Sequence, residues 1–243
     1  MTSLSRLLHR YSLHLYQYSR VFAIFAFALL LSGCGGNSFN VRNLAKSDID
    51  MVADIYIREQ YLNSRELMIK LYKRNPRELA KSAGQDIDSR LQQLDQNPSG
   101  YKFEELNSKQ GNDALKLAFN KDFSGDRVFA LLVGIRSTLH ASYNQKTELF
   151  ILDDLDQQKL YNSARNLEII AWRLNNFRDD KGALLLLSNG YQDGIANLSY
   201  ERLCGKMISL QDMMAKIVSG KNDRAINTVV HSVASTTLLP IGL

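Results

Sequence analysis

The chain has 243 residues, 30 basic and 25 acidic side chains (net +5), four His and two Cys. That length accommodates one domain with a sizeable core, or two small ones. Two cysteines exclude a disulfide-built scaffold.

In chain order, residues 1–33 carry Arg6, Arg10 and Arg20 and no acidic side chain. An apolar run, Val21 to Leu31, follows and ends in Ser32-Gly33. A positive leader, an apolar run of this length and a small-residue end are the parts of a secretory signal. A spanning helix needs about 20 apolar residues to cross roughly 30 Å of hydrocarbon. This run is about half that, which excludes a permanent transmembrane anchor.

The residues Leu31-Ser32-Gly33-Cys34 resemble the lipobox of bacterial lipoprotein precursors: an aliphatic residue, a small one, Gly or Ala, then Cys. The resemblance implies that the signal 1–33 is removed and that Cys34 becomes the first residue of the mature protein. Its sulfur would take a diacylglycerol and its new amino group a fatty acid such as palmitate. Each buried CH₂ then contributes about 0.8 kcal/mol, and more than one chain gives stable anchoring. In that family an Asp after the Cys tends to hold the protein at the inner membrane. Gly35 stands there, which implies the outer membrane with the domain facing the periplasm. Residues 34–46 are small and polar enough for a flexible tether, and 47–243 are expected to form a single domain.

Losing three Arg from 30 basic groups leaves 27 against 25 acidic ones, or +2. The basic excess thus owes much to the leader, and nucleic-acid binding loses its compositional support.

The mature part predicts an all-α, antiparallel bundle of about six or seven helices with at most a minor hairpin. Ser47-Asp48-Ile49-Asp50 reads as an N-cap with an acidic first turn, opening a helix to about Arg74. Asn75-Pro76 stops it and restarts another. Leu79, Ala83, Ile87, Leu91 and Leu94 then share one face up to "NPSG" at 97–100. Tyr101, Phe103 and Leu106 are loop residues placed to tuck against the core, and a short helix is expected over 112–120. Ser124 is the expected cap of the next helix, with Val128, Leu132, Ile135 and Leu139 on a face. "TELFILDDLD" (147–156) reads as either a strand or a helix start.

Leu160, Ala164, Leu167, Ala171 and Leu174 mark a further helix, and Leu203, Met207, Leu210, Met214 and Ile217 another, stopped by Ser219-Gly220. These two are expected to be the central pair, with Ala171 allowing close approach and Trp172 beside the seam. "ALLLLSNG" between them is too short to classify. Asn222 is the expected cap of a last helix carrying Ile226, Val229, Val230 and Val233.

The motifs point away from catalysis. His140 and His231, the mature chain's two histidines, lack a nucleophile turn or activated Cys around them. Clustered zinc ligands are missing. Asp153-Asp154-Leu155-Asp156 lacks the spacing of a Ca²⁺ loop and suits helix capping better, as does "DFSGD" at 122–126. "SNGYQDG" at 188–194 has no phosphate-loop pattern. No metal, cofactor or catalytic residue is therefore assigned. Cys204, in a helical apolar pattern, is expected to be buried and inert.

One basic cluster straddles the Asn75-Pro76 break: Arg65, Lys70, Lys73, Arg74, Arg77 and Lys81, with Tyr72 among them and Glu66 and Glu78 softening it. Lys70, Lys73, Arg74, Arg77 and Lys81 form the candidate contact surface, for an acidic partner or anionic headgroups. A solvated helix corner is the plainer reading. The function expected is a non-enzymatic interaction or assembly module with an envelope protein as partner. The alternative is a helical carrier of a lipid or other hydrophobe, lined by Met207, Met213, Met214 and the Leu-rich 183–187 segment. A carboxylate-based hydrolase is the third reading, since a carboxylate pair leaves little trace in one sequence.

Overall fold

The structure, a computed structural model, describes residues 46–96, 100–192, 195–222, 226 and 237–241. The lipobox with Cys34, His231 and all of the last expected helix except Ile226 lie outside the described residues.

The described chain is all-α. Its helices are α1 (Asp48–Arg74), α2 (Pro76–Leu79), α3 (Ile87–Asp95), α4 (Gly111–Ala118), α5 (Arg127–Ser142), α6 (Gln157–Asn176) and α7 (Ser199–Asn222). A 3-10 turn (Glu104–Leu106) and one antiparallel hairpin, β1 (Gly190–Gln192) with β2 (Ile195–Asn197), complete it. The hairpin pairs Gly190 with Asn197 and Gln192 with Ile195. No described helix is long and apolar enough to cross a membrane.

The start of α1 follows from its first residues. The Ser47 hydroxyl accepts the Asp50 N–H, and the Asp50 carboxylate accepts the Ser47 N–H at 2.7 Å, a reciprocal capping box. Lys46, at the end of the expected tether, pairs with Asp54 and with Glu148. At the far end, Asn75 donates its N–H back to Leu71 at 2.8 Å and Pro76 opens α2.

The single helix expected from Pro76 to residue 96 is instead two. The chain leaves α2 after Leu79, turns through Gly84 at φ +73°, and starts α3 afresh at an Asp86 cap. A left-handed Gly costs nothing sterically, and Asp86 with Ser89 forms a second capping box, so together they outcompete continued helix. Ala83 is consequently exposed, while Leu91 and Leu94 are buried. Tyr101, Phe103 and Leu106 tuck into the core as the sequence predicts.

α5 corrects the expected centre of the bundle. Every residue of α5 is buried, not one face of it. Its apolar residues run almost continuously, which is the pattern of a helix surrounded by protein. Asp126, not Ser124, caps it, accepting the Phe129 N–H at 2.9 Å. α4 lies so close that a Cβ on Gly134 would sit 2.6 Å from the Leu115 side chain. Residues 147–156 form neither strand nor helix. They are turns in which Asp153 accepts the Phe150 N–H, and Asp156 caps α6 through Gln158 and Lys159.

α6 and α7 do pack together, burying Leu167, Ala171, Leu174, Leu203, Met207 and Met214. Leu210 and Ile217 are only half-buried, and Trp172 sits at the rim, edge-on to Phe177. α7 runs through Ser219-Gly220 to Asn222.

The main apolar core joins the second half of α1 to α3, α4, α5, the second half of α6 and the start of α7. A smaller one joins the first half of α1 to Tyr143, Leu149, Leu155, Leu160 and the end of α7. Gln211, fully buried on α7, helps knit the helices. It donates to Ser142 at 2.9 Å and Ser163 at 2.6 Å and accepts from Tyr143 at 2.8 Å.

Candidate functional site

The basic cluster divides once its partners are visible. Arg65 pairs with Asp95 at 2.5 Å and Lys70 with Glu66 at 3.6 Å. Arg77 donates to the Leu184 and Leu185 carbonyls at 3.2 and 2.9 Å, tying the 184–185 segment to α2. Lys81 bridges Glu78 at 2.6 Å and the Gly125 carbonyl at 3.0 Å. Lys73 and Arg74 are exposed and have no ion pair among the described residues. Of the five candidate contact residues, Lys70, Arg77 and Lys81 thus hold partners, and two cations remain uncommitted.

The corner stands on a buried polar joint. Tyr72, which the sequence places among the cations, is instead buried and donates its hydroxyl to Asp126 at 2.7 Å. Arg90, 2% exposed, forks onto Glu105 at 2.6 and 2.7 Å, reaches Asp126 at 3.3 Å and stacks 4.1 Å over the Phe129 ring. The Ser82 hydroxyl also accepts from Arg90. Glu78, 2% exposed, accepts the Arg127 N–H at 2.9 Å.

Burial pushes the Asp126 carboxyl above the ordinary carboxylate range, against its hydrogen bonds from Phe129 and Tyr72 and the Arg90 charge. Burial also raises the Tyr72 phenol, reinforced by the Asp126 charge. Both buried carboxylates are saturated by amides and cations. The joint therefore locks α1, α2, α3 and α5 together rather than offering a free acid or base.

Long-range hydrogen bonds bring to Asn75 and Lys70 a segment with exposed aliphatic side chains that the sequence reading did not connect to this corner. Asn75 grips the Leu187 backbone in both directions, accepting its N–H at 2.7 Å and donating to its carbonyl at 2.8 Å. A Cβ on Gly190, at the base of the hairpin, would lie 3.0 Å from the Arg74 guanidinium. Tyr200 donates to the Lys70 carbonyl at 2.9 Å, fixing the start of α7 on the same corner. Leu187, held by Asn75, is 41% exposed; Leu198, next to the residue that pairs with Gly190, is 57% exposed, and Ile195, further along the hairpin, 73%. Their link to α1 crosses more than a hundred residues, so no local pattern shows it.

The remaining candidates fall elsewhere. His140 is buried, with its ring edge-on to Tyr101 at 5.7 Å, and burial lowers its pKa. The cavity it lines with Gln60, Tyr61, Tyr143 and Lys146 holds about 10 Å³, room for one water at most. Cys204 is buried and free, its thiol pushed up to about 12 by burial and then by Glu201, which disfavours the nucleophilic thiolate. Met207 and Met214 belong to separate cores and Met213 is exposed, so these three do not line one cavity. An open groove of about 530 Å³ lies between α1 and α7, lined by Glu59, Asn63, Lys206, Ser209 and Leu210. Among the described residues no group of three or more His, Cys, Asp or Glu could hold a metal ion.

No family model, curated protein or solved structure matches the chain.

Proposed function

We propose that this is a lipid-anchored envelope protein whose helical domain works as a non-enzymatic interaction or assembly module. Acyl chains on Cys34 would hold it to the outer membrane, with the domain on the periplasmic face. The anchor rests on the sequence Leu31-Ser32-Gly33-Cys34. The observation that carries the module reading is the corner at Asn75. Two exposed cations without ion pairs among the described residues precede Asn75, which holds the backbone of the exposed Leu187, and Arg74 lies against Gly190 of a hairpin segment in which Ile195 and Leu198 are exposed. Exposed apolar side chains grouped with uncommitted charge are the makings of a protein contact: an apolar centre with a polar rim. Its partner would be an envelope protein presenting acidic residues around an apolar patch.

The test has two arms. Cys34→Ser should abolish incorporation of labelled palmitate and release the protein from the membrane fraction; unchanged labelling would refute the anchor. In-cell crosslinking followed by detergent purification of the acylated chain should enrich a specific envelope protein. Recovery of the chain alone would count against the module.

A further inference from the structure

Three asparagines hold an extended piece of this chain by its backbone. Asn112 opens α4; Asn162 and Asn166 sit one turn apart on α6 and are at most 9% exposed. Asn166 accepts the Leu239 N–H at 2.7 Å and donates to the Leu239 carbonyl at 2.9 Å. Asn112 donates to the same carbonyl at 2.9 Å, and Asn162 donates to the Pro240 carbonyl at 2.8 Å. The clamp is itself braced: Gln158 donates to Asn162 at 2.9 Å, and Asn166 to Asn112 at 3.3 Å. Leu238 and Ile241, on either side of the gripped residues, are 7 and 6% exposed, whereas Pro240 is exposed.

This is the logic of peptide recognition. Main-chain hydrogen bonds supply the grip, and spaced side-chain positions supply selectivity. Asn166 is fully buried, and a buried carboxamide stripped of its partners is costly. The site therefore needs an extended backbone in it. Any segment can supply the N–H and carbonyls; an aliphatic residue at the first and fourth positions satisfies the two buried ones. The proline has no N–H to satisfy, and its fixed φ keeps the segment extended before it binds, lowering the ordering cost.

We propose that the α4–α6 groove is a peptide-binding site for an extended Leu-Leu-Pro-Ile-like segment, filled in cis by residues 237–241. The same chemistry can arrive in trans from a second copy of this chain, which carries the identical segment. A tethered segment competes at an effective concentration on the order of millimolar, so a trans segment must match that to displace it. The inference stands apart from the anchor and from the corner at Asn75.

The probe is a synthetic peptide copying residues 235–243, added to the full chain in detergent. At millimolar peptide, amide exchange of the 237–241 fragment should rise several-fold as the cis segment is displaced, and a scrambled peptide should leave it unchanged. With Leu238→Asp and Ile241→Asp weakening the cis occupant, labelled peptide should bind at least tenfold more tightly than to the unaltered chain. Adding Asn166→Leu should reverse that gain. Unchanged exchange in the unaltered chain would overturn the proposal, whatever the folding of the variants. So would equal displacement by the scrambled peptide, or binding indifferent to Asn166→Leu. A concentration-dependent dimer dissolved by the peptide identifies a second copy as the source. A chain monomeric at every concentration overturns exchange in trans.

Discussion

α5 and the corner at Asn75 border the same core, yet they treat their polar groups in opposite ways. In α5, Arg127 caps the end of α4 and the loop after it through the carbonyls of Ala118, Asn120, Lys121 and Phe123, at 2.5–3.0 Å. Arg136 pairs with Asp95 and lies 4.4 Å over the Tyr61 ring. Ser137 accepts the Gly111 N–H at 2.7 Å. These groups find their partners inside the fold. At the corner, Lys73 and Arg74 have no ion pair among the described residues, and Leu187, held by Asn75, and Ile195 and Leu198 of the following hairpin segment remain exposed. A group whose partner lies within the fold answers to stability; a group left over is available to something outside it.

The comparison breaks first at its buried side. Arg90→Ala would leave Asp126 charged and buried without its cation, and should cost about 3–5 kcal/mol in denaturant unfolding. A loss near zero would mean the joint is not dry. Leu167→Ala, truncating a side chain 2% exposed between α6 and the main core, should cost about 2–5 kcal/mol by the same measurement. Gly134→Ala presses a methyl against Leu115 and should cost about 1–3 kcal/mol. An increase in stability there would show that α4 can step aside freely.

A smaller effect should appear in the pH dependence. Burial lowers the folded pKa of His140 below its ordinary 6.5. The unfolded chain therefore binds the proton more readily, so this group's contribution to stability is full above pH 6.5. It falls as the pH drops through 6.5 toward the folded value. His140→Phe, which keeps an edge for Tyr101, should flatten the slope of stability between pH 7 and pH 5. A slope identical to that of the unaltered chain would remove His140 as its source. Smallest of all, Lys73→Glu with Arg74→Glu should shift the free energy of unfolding by no more than about 0.5 kcal/mol, because exposed charges contribute little.

How far the sequence carries this picture depends on the distance of the interactions involved. The α1 cap, the Pro76 restart and the period of α6 are encoded within four or five residues, and they are legible. So is the burial of Leu91, Leu94, Tyr101 and Phe103. The break at Gly84 was open to reading too, since "SAGQD" carries both a left-handed Gly and a strong cap, but the apolar spacing from Leu79 to Leu94 masks it. The central place of α5 depends on what packs around it: four apolar positions define a face, and only the neighbours show that the opposite face is covered as well. The corner divides the same way. Its cations are plain in the sequence, but Arg77 reaches the Leu184 carbonyl and Asn75 the Leu187 backbone across more than a hundred residues. Neither the loss of Arg77 to the fold nor the arrival of the Leu187 segment at Asn75 leaves a local signal.

The central claim is that the Asn75 corner is where the domain meets a partner. It is tested most directly by placing a photoreactive side chain at position 73 and, in a separate chain, at the exposed Lys216 of α7, and irradiating cells. Position 73 should give a discrete crosslinked product that disappears when Arg74→Glu is added and weakens as salt rises in spheroplast preparations. Position 216 should give none of that product, while the melting temperature stays the same in every chain. Equal crosslinking from both positions, or a product at 73 indifferent to Arg74→Glu, would contradict the claim and leave the corner a solvated helix end.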